Sequence, residues 1–92
     1  MLLTKKECLD KLCLLNKQWQ IEDKFLVRTF IFNDFISAFE FLKKIAKISE
    51  NKMHHPKIYN NFNKVVLKLI THDCDGISLK DFNLATEIDA LI

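Results

Sequence analysis

Residues Glu50 to Asp81 read ENKMHHPKIYNNFNKVVLKLITHDCDGISLKD, and they hold all three histidines, the only proline and the only glycine of the chain. Lys64–Thr71 is the strongest strand signal in the sequence. Val65, Leu67 and Leu69 face one way, and Val66, Lys68, Ile70 and His72 face the other. Lys57–Phe62 reads as a strand before it, with Asn60, Asn61 and Asn63 marking a turn between them. A residue that precedes proline is pushed toward extended backbone, so His54-His55-Pro56 lies on an extended entry rather than in a helix. Alternation puts His72 at the strand's exit, ahead of the turn Asp73-Cys74-Asp75-Gly76.

Working outward, Ser78 caps a closing helix over 79–91 with the stripe Leu79, Phe82, Ala85, Ile88 and Ile92. Upstream, Asn33 or Asp34 caps a helix that runs to about Ser49, striped by Phe35, Phe39, Leu42 and Ala46. Phe25–Phe32 is rich in aromatic and β-branched residues and reads as a strand. The short connection Glu22-Asp23-Lys24 makes it antiparallel to a brief strand around Trp19 and Ile21. At the start, Thr4-Lys5-Lys6-Glu7 fits a capping box for a helix over roughly 5–15, with Asn16 as its left-handed stop. The order α-β-β-α-β-β-α predicts an α+β fold: a four-stranded antiparallel sheet with three helices packed on one face. No linker or repeat interrupts residues 1–92, which read as one domain.

Composition narrows the function classes. Fourteen basic and twelve acidic residues are spread along the 92-residue chain, and Arg28 is the only arginine. Nucleic-acid binders cluster basic residues and use arginine for bidentate readout, so nucleic acid is not the expected partner. Three cysteines without C-x-x-C spacing argue against a disulfide framework and for a reducing compartment. No apolar run approaches the length of a membrane span, and charges interrupt the N-terminal segment. The expectation is a soluble, cytoplasmic chain with no membrane partner, although an organellar or nuclear address is left open.

Three imidazoles held by a rigid entry and a strand end suggest proton-transfer chemistry, because histidine ordinarily titrates near neutrality. A metal centre is the rival. Adjacent residues on extended backbone point to opposite sides, so His54 and His55 are awkward ligands for one ion, and no H-x-x-x-H or C-x-x-C pair supports one. Cys74, two residues from His72, reads as a small packing residue rather than a nucleophile. Asp81 occupies the third position of the last helix, where capping alone explains a carboxylate. Spacing leaves open a second role for it, accepting a ring N–H from an imidazole.

Glu50, His54-His55-Pro56, Asn63-Lys64-Val65, Thr71-His72-Asp73-Cys74, Gly76, Ser78 and Asp81 together resemble the signature of the pterin-4a-carbinolamine dehydratases. Trp19 and the run FIFNDFISAFEF over 30–41 extend the resemblance to roughly residues 15–91. The resemblance implies the same α+β fold and removal of water from 4a-hydroxytetrahydropterin, with a pterin as small-molecule substrate and no metal or organic cofactor. It implies His54, His55, His72 and Asp81 as catalytic residues; among them we assign His55 as the principal acid–base group, with His54 and His72 as its partners. Glu50, Pro56, Tyr59, Thr71, Asp73 and Cys74 would then contact the substrate. Where the family usually carries an aromatic two residues after the proline this chain has Ile58, and Tyr59 next to it is the candidate to face the pterin ring. The resemblance also implies a homo-oligomer, tetramer or dimer. It offers an alternative role, a non-enzymatic dimerisation cofactor for a helical partner such as a homeodomain transcription factor. Eight phenylalanines in 92 residues fit the oligomer, since a thin sheet-and-helix layer hides that much apolar surface poorly.

Overall fold

A computed structural model describes residues 1–92. The elements are α1 Lys5–Leu12, β1 Gln20–Glu22, β2 Phe25–Ile31, α2 Phe35–Lys52, β3 Lys57–Asn61, β4 Lys64–Leu69, a 3-10 turn His72–Cys74, and α3 Leu79–Asp89. The strands pair antiparallel in the order β1-β2-β4-β3. This is the α-β-β-α-β-β-α architecture expected from the sequence, with the helices on one face of the sheet.

Register explains why the alternation in β4 was so legible. Leu26 stands opposite Leu69, Arg28 opposite Leu67 and Phe30 opposite Val65, and directly opposed residues share a face. Leu26, Phe30, Val65, Leu67 and Leu69 are buried with Ala38, Phe41 and Ile45 of α2 and with Phe82, Leu84, Ala85 and Ile88 of α3. The other face carries Thr29, Tyr59, Val66 and Lys68 and has no helix over it. Arg28 is the exception on the core side. Its Nη1 donates to Asp89 Oδ1 over 2.6 Å, and the same oxygen accepts from Trp19 Nε1 over 2.7 Å, so the last turn of α3 satisfies two buried donors at once.

The helix starts follow the caps read from sequence. Thr4 and Glu7 exchange hydrogen bonds in a capping box, and Ser78 and Asp81 do the same at α3. Asp34, not Asn33, caps α2 by accepting from the Ser37 amide. The ends differ from expectation. α1 stops at Leu12 rather than 15, and Asn16 is no helix stop; its amide donates to Asp89 and its side chain accepts from Gln18, which turns the chain so that Trp19 enters the core. α2 runs to Lys52, beyond Ser49, and α3 ends at Asp89 rather than 91. β4 ends at Leu69 because Thr71 leaves the ladder to bridge Gly76, so His72 opens the 3-10 turn instead of closing the strand.

The single glycine serves close approach rather than backbone freedom. Its φ is not positive, and Asp75 takes the left-handed position in that turn (φ 51). A Cβ on Gly76 would come within 2.5 Å of Leu2 Cδ1, where the N-terminal segment bridges to Ser78 and Leu3 donates to the Ile77 carbonyl.

Candidate active site

The end of α2 delivers two of the three histidines. Met53 is left-handed (φ 52), its amide donates to the Glu50 carbonyl, and the His54 amide reaches back to the Ser49 carbonyl over 3.1 Å. These are the paired bonds of a Schellman ending, which stop the helix and eject the chain at a defined angle. Pro56 then prevents the helix from resuming. On the extended dipeptide the rings part: His54 turns inward and is half-buried, while His55 is exposed.

Each ring meets a carboxylate. His54 Nε2 lies 2.6 Å from Asp81 Oδ1, and Asp81 is fully buried. His55 Nε2 pairs with Glu50 Oε2 on the surface. The buried carboxylate is held from its other side as well. Asp81 Oδ2 accepts from the Thr71 hydroxyl over 2.8 Å and from the Ser78 amide over 2.9 Å. Thr71 Oγ1 and Ser78 Oγ are themselves 2.6 Å apart. Asp81 thus closes the α3 capping box, as its position implied, and also lies within hydrogen-bond distance of an imidazole, the second role that the spacing left open.

His54, His55 and His72 line one hollow of about 250 Å³ with Met53, Ile70, Thr71, Asp73 and Lys80. That is just under the range of about 300–1,000 Å³ usual for small-molecule sites. Larger hollows exist on the open sheet face beside Lys17 and Gln20, about 520 Å³, and between α1 and the Asp75 turn, about 580 Å³. Neither contains a histidine, whereas the smaller hollow is lined by all three.

The other expected site residues divide. Glu50 stands at the rim through His55, and Asp73 and Thr71 line the hollow, although the Thr71 hydroxyl is already engaged by Asp81 and Ser78. Pro56 shapes the backbone and does not line it. Cys74 points its sulfur at the Thr71 and Gly76 carbonyls, 3.6 and 3.8 Å away, and packs as a small residue inside the turn. Tyr59 stands on the open sheet face under Lys68 Nζ, 5.6 Å from its ring centre, and is not brought to the histidines within this chain. Register decides this: Ile58 pairs with Leu67 on the core side, so Tyr59 must face away. Lys80, Met53 and Ile70 line the hollow without having been singled out in the sequence. Lys80 was findable, because it immediately precedes Asp81 in the first turn of α3.

Behind Asp81 sits Cys8. Burial, and then the neighbouring Glu7 and Asp81 carboxylates, hold its thiol above the ordinary cysteine range, so it stays a neutral packing group. No group of three or more His, Cys, Asp and Glu side chains is arranged to hold a metal ion.

Comparison with known proteins bears on this arrangement. A family model described as pterin 4 alpha carbinolamine dehydratase matches residues 1–91. A protein of Prochlorococcus marinus (strain NATL2A) named "Putative pterin-4-alpha-carbinolamine dehydratase" is 43% identical over 90 residues, covering 98% of this chain and 95% of that protein. One of the same name from Sulfurisphaera tokodaii is 39% identical over 90 residues, covering 98% and 96%. Among solved structures, the transcriptional coactivator/pterin dehydratase from Brucella melitensis superposes with a TM-score of 0.94 at 33% identity, over 99% of this chain and 98% of that one.

Proposed function

The chain belongs to the pterin-4-alpha-carbinolamine dehydratase family, and from that premise we propose that it removes water from a 4a-hydroxytetrahydropterin to give the quinonoid dihydropterin. The observation that carries the reading is the convergence of all three histidines on one hollow, two of them bonded to carboxylates of unequal burial.

The chemistry balances without a redox partner. The C4a–O bond breaks, an acid's proton leaves with the hydroxyl as water, and the N5 proton passes to a base as the C4a=N5 bond forms. Imidazoles suit both jobs, and each positioned acid or base contributes about 10²–10⁴-fold. His55, exposed and paired with Glu50, is the principal acid–base group and exchanges protons with solvent between turnovers. His54 and His72 are its partners, and Lys80 and Asp73 are polar groups of the wall available to orient the pterin's heteroatoms. Purified protein should accelerate dehydration of synthetic 4a-hydroxytetrahydropterin without added metal. A rate equal to the uncatalysed background across neutral pH overturns the assignment.

A second reading concerns assembly. Phe35, Ile36 and Phe39 are 48%, 72% and 48% exposed along one side of α2, with the Phe35 and Phe39 rings 5.7 Å apart. Such a stripe is unusual on a monomer. It supports a homotetramer or dimer associating through α2. The same stripe would serve a helical partner protein if the dehydratase assay is blank, a role in keeping with the Brucella melitensis protein being called a transcriptional coactivator as well as a pterin dehydratase.

A further inference from the structure

We propose that Ser78 and Thr71 are positioning residues, which by a one-way hydrogen-bond chain hold the proton of His54 on Nε2 and leave Nδ1 as a fixed acceptor. The tautomer follows from the geometry alone; the catalytic use of Nδ1 rests on the dehydratase reading.

The direction of the chain comes from counting hydrogens. A backbone amide can only donate, so the Lys80 N–H donates to Ser78 Oγ, 3.2 Å away. Thr71 has one hydroxyl hydrogen, and it is given to Asp81 Oδ2. The 2.6 Å contact between Thr71 Oγ1 and Ser78 Oγ therefore runs from Ser78 to Thr71. The Ser78 amide is a further donor on Asp81 Oδ2. Every hydrogen in this buried cluster is thus aimed toward Asp81, and none is left for its other oxygen. Asp81 Oδ1 takes its hydrogen from His54 Nε2, 2.6 Å away. A neutral imidazole then presents Nδ1 as an unprotonated lone pair. Nδ1 has no hydrogen-bond partner within the protein, and His54 lines the hollow. It is the atom placed to take the N5 proton of the substrate.

Asparagine at position 81 gives the sharpest test. Two fixed donors, the Thr71 hydroxyl and the Ser78 amide, converge on the Oδ2 position, so the carboxamide oxygen must sit there. Its NH2 group then faces His54 Nε2, which is forced to accept, and the ring proton moves to Nδ1. Long-range proton–nitrogen correlation on histidine-labelled full-length protein, above the ordinary imidazole titration range, reads the tautomer directly. The wild type should show His54 protonated at Nε2 and Asp81→Asn should show it at Nδ1. Asp81→Asn should also lose roughly a thousandfold or more in kcat with KM little changed, the cost seen when an imidazole is held in the wrong tautomer. Thr71→Val should keep the Nε2–H tautomer, since Asp81 Oδ1 still only accepts, but should free the carboxylate to turn and lose about ten- to a hundredfold in kcat, with Thr71→Ser restoring it. An Nδ1–H tautomer in the wild type overturns the proposal. So does Nε2–H in Asp81→Asn, or a Thr71→Val protein with wild-type kcat. If Asp81→Asn does not fold, the Thr71 pair decides. If the wild type proves inactive, the dehydratase reading falls, and the tautomer measurements still settle the chain.

Discussion

Replacing Asp89 by alanine should cost more stability than any change at the exposed surface, because one carboxylate serves three donors from a distant part of the chain. Its Oδ1 accepts from Arg28 Nη1 and Trp19 Nε1, and its Oδ2 accepts from the Asn16 amide over 3.0 Å. Arg28 is 6% exposed and Trp19 2%, so removing the acceptor strands a buried guanidinium and an indole N–H. Breaking a buried ion pair from one side costs about 3–5 kcal/mol. The Asp89 side chain is 21% exposed, and the Arg28 guanidinium also stacks 4.4 Å from the Phe30 ring centre, so water and the ring offset part of this. The lower end, about 3 kcal/mol, is the expected loss. A chain of this size has roughly 5–14 kcal/mol in total. At about 4–8 °C per kcal/mol the melting temperature should fall by roughly 12–24 °C. Asp89→Asn, which keeps an acceptor oxygen, should lose less. Arg28→Met combined with Asp89→Ala should lose less than the sum of the two single changes, since the stranded charge is then gone. Thermal melts by circular dichroism compare these four variants with wild type. Asp89 lies eight residues, about 12 Å, along α3 from Asp81, so dehydratase activity of the folded protein at low temperature should be unchanged. A melting point for Asp89→Ala within about 4 °C of wild type would refute the reasoning.

His55→Ala should lose most dehydratase activity with a melting temperature near wild type, because the ring is exposed and bonded only to Glu50; a fully active variant removes His55 from its role. The Ser37 amide bond at the α2 cap holds the Asp34 carboxyl below its ordinary range, so its contribution to stability is present above the usual carboxylate titration and is lost as pH falls through the lowered folded value. Asp34→Asn keeps the cap and removes the titration, and urea midpoints should separate the two proteins at neutral pH and converge in acid; a gap independent of pH would show that the charge contributes nothing. Light scattering coupled to gel filtration should give the wild type the mass of a tetramer, or failing that a dimer, and Ile36→Glu a smaller species; a wild type with the mass of one chain at micromolar concentration sinks assembly through α2.

How much of this was legible in the sequence depends on how far each cause reaches along the chain. Caps are local: Thr4 with Glu7, and Ser78 with Asp81, each lie three residues apart, and both boxes form. Alternation in Val65, Leu67 and Leu69 is also local, and it placed the core correctly. The same rule failed at His72, because the ladder ends when Thr71 bridges Gly76, and extrapolating alternation past a strand's last pair has no physical basis. Helix α1 carries no stop signal at Leu12; what turns the chain is Asp89, 73 residues on from Asn16. Tyr59 shows the limit most clearly. A strand of exposed residues has no apolar side to reveal its facing, so only pairing with β4 decides it.

The candidate site repeats this division. That His54 and His55 point apart was readable, because adjacent residues on extended backbone must, and they do so here toward Asp81 and Glu50. What lies under each ring was not readable, since Asp81 is 27 residues from His54 and its carboxylate was already explained by the helix it caps. The two functions are one structure. A capping box needs a carboxylate aimed at the helix's first amides, which occupies Oδ2 and leaves Oδ1 free to turn elsewhere. The Schellman ending of α2 brings His54 to that free oxygen. A group needed for folding thereby acquires a fixed, buried position without any further element being built for it. That is why spacing alone could account for the cap and could only leave the imidazole contact open.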